Sequence, residues 1–252
     1  MTPSPSIMKL MSAAVTVLYL VASSAFAAGE QPPQGFTSLF NGRDFTGWKV
    51  PEGDNGHWKV VDGVIDYDAR SEAPKDKNLF TEKSFTDFVL RVDWRIKETP
   101  YVNPNVPYIL PDGTHARDVN GKEIRMALPD SDSGVILRGD VKNQVNIWCW
   151  PIGSGEMYGW RTDPRQPPEV RAAVTPRTQA DKPVGQWNTY EITVKGEAVT
   201  VKLNDKLVVD GVVLENYWNY DKPLFPTGQI ELQNHGNTLY FKNIYVKELP
   251  RK

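Results

Sequence analysis

The stretch QIELQNHGNTLYFKNIYVKEL, Gln229 to Leu249, sets Glu231, Gln233 and His235 at every second position. Successive side chains of a strand alternate sides, so an acid, an amide and an imidazole share one face while Ile230 and Leu232 share the other. Such a row is either the solvated outer face of an antiparallel sheet or the floor of a polar cleft. A second row, Gln144, Asn146, Trp148 and Trp150, alternates with Val145, Ile147 and Cys149. Amides offer a donor beside an acceptor, as neighbouring sugar hydroxyls require, and an indole face covers the apolar side of a sugar ring. The same residues equally suit a packed aromatic core with amides capping loose backbone groups. Arg138 ends the preceding run, SGVILRG, on the face of Ile136. The glycine-rich PIGSGEMYGW then sets Glu156, with Tyr158 beside it, in backbone able to bring a carboxyl over a cleft as acid or base.

Other chemistries lack their signatures. His57, His115 and His235 show no paired ligand spacing, which disfavours a preformed zinc site, although oxygen ligands can still assemble in space. No Walker lysine or dinucleotide-binding glycine spacing follows the glycine-rich loop, and no G-x-S-x-G elbow occurs. Retaining glycosidases on jelly rolls need two carboxylates close together, set by an acid-x-acid-x-acid strand, and this chain has no Glu-x-Asp-x-Glu.

The elements that must position these residues are short strands. In HWKVVDGVIDYD two runs flank an Asp62-Gly63 turn, a strong hairpin signal. DFVLRVDWRIKE puts Phe88, Leu90, Val92, Trp94 and Ile96 on one face, and WNTYEITVKGEAVTVKLNDKLVVDG reads as a three-strand meander with turns at Gly196-Glu197 and Asn204-Asp205. Two Pro-rich inserts, 99–130 and 161–183, interrupt the pattern as long loops. The reading is a single all-β domain over 36–250, a sandwich or jelly roll of antiparallel sheets.

Composition narrows the partners. With 29 basic and 31 acidic residues the formal net charge is -2, which argues against a nucleic-acid groove. Residues 1–27 carry Lys9, an apolar run and Ala25-Phe26-Ala27, the pattern of a secretory signal peptide followed by a Pro-rich spacer at 28–35. The apolar run is shorter than the ~20 residues of a membrane span. The expected destination is therefore the periplasm or the extracellular space, with no span after cleavage. Cys149 is the single cysteine, so no intramolecular disulfide stabilises the domain.

The segments FTSLFNGRDFTGWKV, HWKVVDGVI, NLFTEKSFTDFVLRVDWRI, SDSGVILRG and the closing LQNHG with FKNIYVKEL, in that order from Phe36 to Leu249, resemble the 3-keto-disaccharide hydrolase family. The resemblance implies a concanavalin A-like jelly-roll β-sandwich of two antiparallel sheets. It also implies exported proteins that cleave glycosides whose C3 hydroxyl has been oxidised to a ketone. The ketone acidifies the C2 proton, so a base removes it and the C1 substituent leaves by elimination; water adding to the enone gives net hydrolysis. Such a site needs a base, stabilisation of the enolate oxygen by a donor or a divalent metal ion, and an acid at the leaving oxygen.

By this resemblance His235 is base or metal ligand, with Gln233 beside it, and Arg138 holds an enolate or hydroxyl. Asn234 stands where relatives often have Asp. Where many relatives read Tyr-Glu-x-Gln, this chain reads Asn143-Gln144-Val145-Asn146, so the lost acid falls to Glu156, Glu231 or Asp132. The competing expectation is a non-catalytic carbohydrate-binding module on the same fold.

Overall fold

Alternating side chains and tight turns account for most elements of the computed structural model, which describes residues 31–250. The signal peptide expected at 1–27 lies outside the described residues. The strands are β1 (Thr37–Ser38), β2 (Trp48–Lys49), β3 (Trp58–Val61), β4 (Val64–Tyr67), β5 (Leu79–Phe85), β6 (Phe88–Ile96), β7 (Tyr101–Pro107) and β8 (Arg125–Asp130). They continue as β9 (Asp132–Leu137), β10 (Asp140–Trp148), β11 (Asn188–Lys195), β12 (Ala198–Leu203), β13 (Lys206–Val213), β14 (Gly228–Leu232) and β15 (Leu239–Glu248). Two short helices, α1 (Tyr158–Arg161) and α2 (Pro168–Val174), lie between β10 and β11.

An eight-stranded antiparallel sheet, ordered β13-β12-β11-β6-β15-β4-β3 with β1 on β15, packs against a five-stranded one ordered β10-β9-β14-β5-β2. This is the expected jelly-roll sandwich. The turns form where the sequence placed them. Asp62 and Gly63 both have positive φ, as do Asn204 and Asp205, the left-handed pair that a two-residue hairpin between twisted strands demands. The residues expected inside from β6 are buried, and they meet Val135, Val145, Ile147, Ile230 and Leu232 of the smaller sheet.

Two expectations change. The insert 99–130, read as a loop, holds the β7-β8 hairpin, a separate two-stranded sheet. Pro104 and Pro107 disguise β7, and they are tolerated because both strands of a lone pair are edges that need few ladder donors. The insert 161–183 contains α2. Its Pro168 at the first turn costs no hydrogen bond, since that N–H has no intrahelical partner.

Glycine 228 shows how tightly the smaller sheet is threaded. A Cβ there would lie 2.1 Å from the Arg138 carbonyl oxygen, which is backbone and cannot swing aside. Gly228→Ala is expected to destabilise the fold by about 3 kcal/mol, the upper range for overpacking. A urea midpoint unchanged from wild type would contradict this packing.

Candidate active site

Strand parity turns one face of the small sheet to the core and leaves a polar outer face. Val135 and Leu137 of β9 and Val145 and Ile147 of β10 point inward. Asp132, Gly134 and Ile136, Gln144 and Asn146, and Glu231 and Gln233 therefore point the other way. The two polar rows legible in the sequence are brought onto this single face because β9 lies between β10 and β14. Gln144 opposes Ile136, Asn146 opposes Gly134, and Glu231 opposes Ile136 from the other side. Gly134 matters here, since a Cβ would lie 2.5 Å from Gln144 Cγ. Its absence lets the Gln144 side chain lie across β9 and donate to the Ser133 carbonyl at 3.2 Å.

At one end of the face the chain leaving β14 is tied to β9. Gln233 N–H donates to the Gly134 carbonyl and Ser133 Oγ to the Gln233 carbonyl. Asn234 accepts the Gly236 N–H on its side chain, an Asx turn that presents His235. The His235 Nδ1 lies 3.6 Å from Asp132 Oδ2, and 55 % of the imidazole is exposed. Burial pushes the Asp132 carboxyl up to about 6; His235 opposes the rise and Asp130 adds to it. A buried carboxyl raised in this way beside a partly exposed imidazole has the makings of a proton-transfer site.

Behind it sits a sealed ion pair. Residues Gly155 to Met157 run alongside β10, with Asn146 N–H donating to the Glu156 carbonyl and Val145 bridging Met157. Met157 enters the core, so Glu156 takes the outer face but is wholly buried. Arg161 Nε lies 2.7 Å from Glu156 Oε2, off the hydrogen-bond direction. Burial raises the Glu156 carboxyl to about 7 despite Arg161, with Asp132 adding to the rise. The sequence reading of Glu156 as a carboxyl swung over a cleft changes accordingly, because neither oxygen meets solvent. Arg161 is held in turn by the first insert, its Nη1 lying 3.2 Å from His115 Nε2, whose Nδ1 is 3.3 Å from Glu123.

Polar atoms without a protein partner gather here. Asn146 Nδ2, Gln233 Oε1 and Asn234 Nδ2 are buried and without a hydrogen-bond partner among the described residues. Buried polar groups are ordinarily paired, so such a concentration on one face marks where hydroxyls or water complete the bonding.

Other expected residues are placed elsewhere. Arg138 stands at the far end of β9 from His235, with positive φ. Its guanidinium donates to the Thr86 and Gly196 carbonyls and pairs with Asp87 at 3.1 Å. It ties the β5-β6 turn to the β11-β12 turn, which corrects the expectation that its guanidinium holds an enolate or hydroxyl. Trp148 is buried, donates to the Gly153 carbonyl and stacks on Trp150 at 4.3 Å, while Trp150 donates to Asp130. These indoles are packed on each other and not laid open along the amide row. Tyr158 begins α1 and is exposed. At the opposite end of the face Glu231 accepts from Asn78 at 3.0 Å, and burial raises it to about 7.

The sequence reading missed Arg161, Asn78, Asp140 and Trp218. The aromatic density of ENYWNYDKPLF was the available signal for Trp218.

The 3-keto-alpha-glucoside-1,2-lyase-like domain matches residues 35–247. The chain belongs to this family. A 3-keto-disaccharide hydrolase of Bacteroides thetaiotaomicron is 21 % identical over 246 residues, covering 85 % of this chain and 79 % of that one. Crystal structures of proposed glycosyl hydrolases from Parabacteroides distasonis share the fold. One has a TM-score of 0.57 at 20 % identity, covering 86 % of this chain and 85 % of that one, and another has 0.55 at 22 %, covering 86 % and 94 %. The domain is thus a member of a glycoside-processing family.

Among the described residues no three His, Cys, Asp or Glu side chains converge to hold a metal ion. Asp132 and His235 are two neighbouring side chains of the kinds that would hold a divalent cation.

Proposed function

We propose that this protein is an exported enzyme that cleaves 3-keto-glycosides by removing the C2 proton and expelling the C1 substituent. The observation that supports the reading best is the partly exposed Asp132–His235 contact at the end of a face that carries unpartnered amide atoms. His235 takes the C2 proton, and the C–H electrons move into the ring to form an enolate on the C3 oxygen. Asp132 orients the imidazole and balances the imidazolium. The enolate electrons then return to form a C1–C2 double bond as the C1–O bond breaks, and the imidazolium gives its proton to the departing oxygen. Water adding across the resulting enone gives net hydrolysis; without it the outcome is that of a lyase. Asn146 Nδ2 and Asn234 Nδ2, buried donors without a hydrogen-bond partner among the described residues, are assigned to the enolate oxygen.

The sequence carries no Glu-x-Asp-x-Glu strand, which fits this route. Asp132 and Glu231, at opposite ends of the face, have Cα atoms about 14 Å apart by strand rise and spacing. The test is incubation of the mature protein with a 3-keto-glucoside, following aglycone release with and without a chelator. Release from the keto substrate but not from its unoxidised parent is expected. Release from the parent, or none from several keto-glycosides, would sink the proposal, and chelator-sensitive release would add a cation to the His235 end.

A further inference from the structure

Glu231 faces a cavity of about 560 Å³ that the chemistry at His235 does not use. Its walls are Asp76, Asn78, Asp140, Trp218, Phe225 and Glu231, brought from five separate parts of the chain. The volume is that of a small-molecule site. Three observations bear on its occupant. Trp218 is 60 % exposed, yet its orientation is fixed, because its Nε1 donates to Asp140 Oδ1 at 3.1 Å and its ring meets Tyr217 edge-on. Phe225 is a second exposed ring on the same cavity. Glu231 is only 6 % exposed; one oxygen accepts from Asn78, while the other has no partner among the described residues and borders Gly139 at the cavity wall.

A rigid exposed indole beside a buried acceptor and an amide suits a pyranose ring, apolar on its faces and hydroxylated at its edge. Charge then selects among sugars. Asp76, Asp140 and Glu231 supply acid groups, and no Lys or Arg lines the cavity. Lys142, beside the lining residue Val141, is engaged on the rings of Tyr217 and Trp218 at 4.7 and 5.8 Å from their centroids. Burying a carboxylate among carboxylates without a counter-charge is strongly unfavourable.

We propose that this cavity is the subsite for a neutral leaving sugar, stacked on Trp218 and hydrogen-bonded by Glu231 and Asn78, and that it excludes uronic acids. The assignment to the leaving group rests on the keto-glycoside reading, which puts the oxidised ring at the Asp132–His235 end of the same face.

The test is a ligand-observed NMR titration with methyl β-glucoside and methyl β-glucuronide on wild type, Trp218→Ala and Trp218→Phe. The glucoside is expected to bind wild type, about tenfold more weakly to Trp218→Ala, and nearly as well to Trp218→Phe, since a stacked ring contributes on that order. The glucuronide is expected to bind at least tenfold more weakly than the glucoside. Equal glucoside affinity for wild type and Trp218→Ala, equal affinity for the two sugars, or no binding to wild type overturns the subsite. Turnover is read separately on a 3-keto-disaccharide, and its absence overturns the keto-glycoside reading together with the leaving-group assignment.

Discussion

His235→Ala lowers the rate of aglycone release from a 3-keto-glucoside by about 10²- to 10⁴-fold, the range over which a positioned general base acts. The imidazole is more than half exposed, so the change removes little packing and the midpoint of thermal unfolding stays near wild type. Asp132→Asn separates the charge from the shape. Its Nδ1 contact is 3.6 Å, longer than a hydrogen bond, a looseness common before substrate closes on such a pair. The variant keeps the side-chain volume but cannot balance an imidazolium, so kcat falls with KM little changed.

The pH profile gives a second reading of the same pair. Asp132 must be ionised to act, and burial holds its carboxyl near 6, so wild-type activity rises as the pH climbs through about 6. Asp132→Asn loses that acid limb. Stability moves the other way. The carboxyl's folded value lies above the unfolded 3.8, so the folded state binds the extra proton between about 4 and 6, and wild-type stability declines as pH rises through that window. The neutral Asn carries no such penalty, so the variant is at least as stable as wild type at pH 7.5. A variant that lost activity only by unfolding would show the opposite, and an unchanged pH profile would remove Asp132 from the chemistry.

Arg161→Met is expected to cost about 3–5 kcal/mol, since it leaves a buried carboxyl without its counter-charge. Glu156 is wholly buried and Arg161 nearly so, and no solvent reaches the pair to compensate. At about 2–4 °C per kcal/mol for a domain of this size, the thermal midpoint falls by about 10 °C. Glu156→Gln is expected to cost at least as much, because it strands a buried guanidinium that cannot shed its proton, whereas a stranded Glu156 can take one up. A Glu156→Gln loss far below that of Arg161→Met would mean that shape, not charge, fixes this corner. The pair also links the site to the first insert through His115, so its loss loosens the packing of that insert on α1.

Much of this was written locally. Period-two alternation in Phe88 to Ile96 sets which side chains enter the core, and turn residues such as Asp62-Gly63 and Asn204-Asp205 permit the positive φ that closes each hairpin. Alternation likewise made the acid, amide and imidazole of the closing segment and the amides of Asn143 to Asn146 legible as polar rows, and five sequence blocks carried the family. These features depend on neighbours within a few residues, which is what a linear reading can follow.

What pairs with what was decided by the tertiary structure. β14 and β15 are adjacent in the chain yet belong to different sheets, β14 beside β5 and β9, and β15 beside β6 and β4. That crossover brings Glu231 and Gln233 next to the Gln144 and Asn146 row and delivers His235 to Asp132. It also strands Arg138 at the far end of β9, where backbone carbonyls claim its donors. Burial decided the rest. Glu156 is sealed behind Asn146, Trp148 is packed on Trp150, and Trp218, from a segment with no periodic pattern, stands open beside Glu231. Exposure and long-range pairing follow from the summed packing of strands distant in sequence, and no single stretch of residues encodes them.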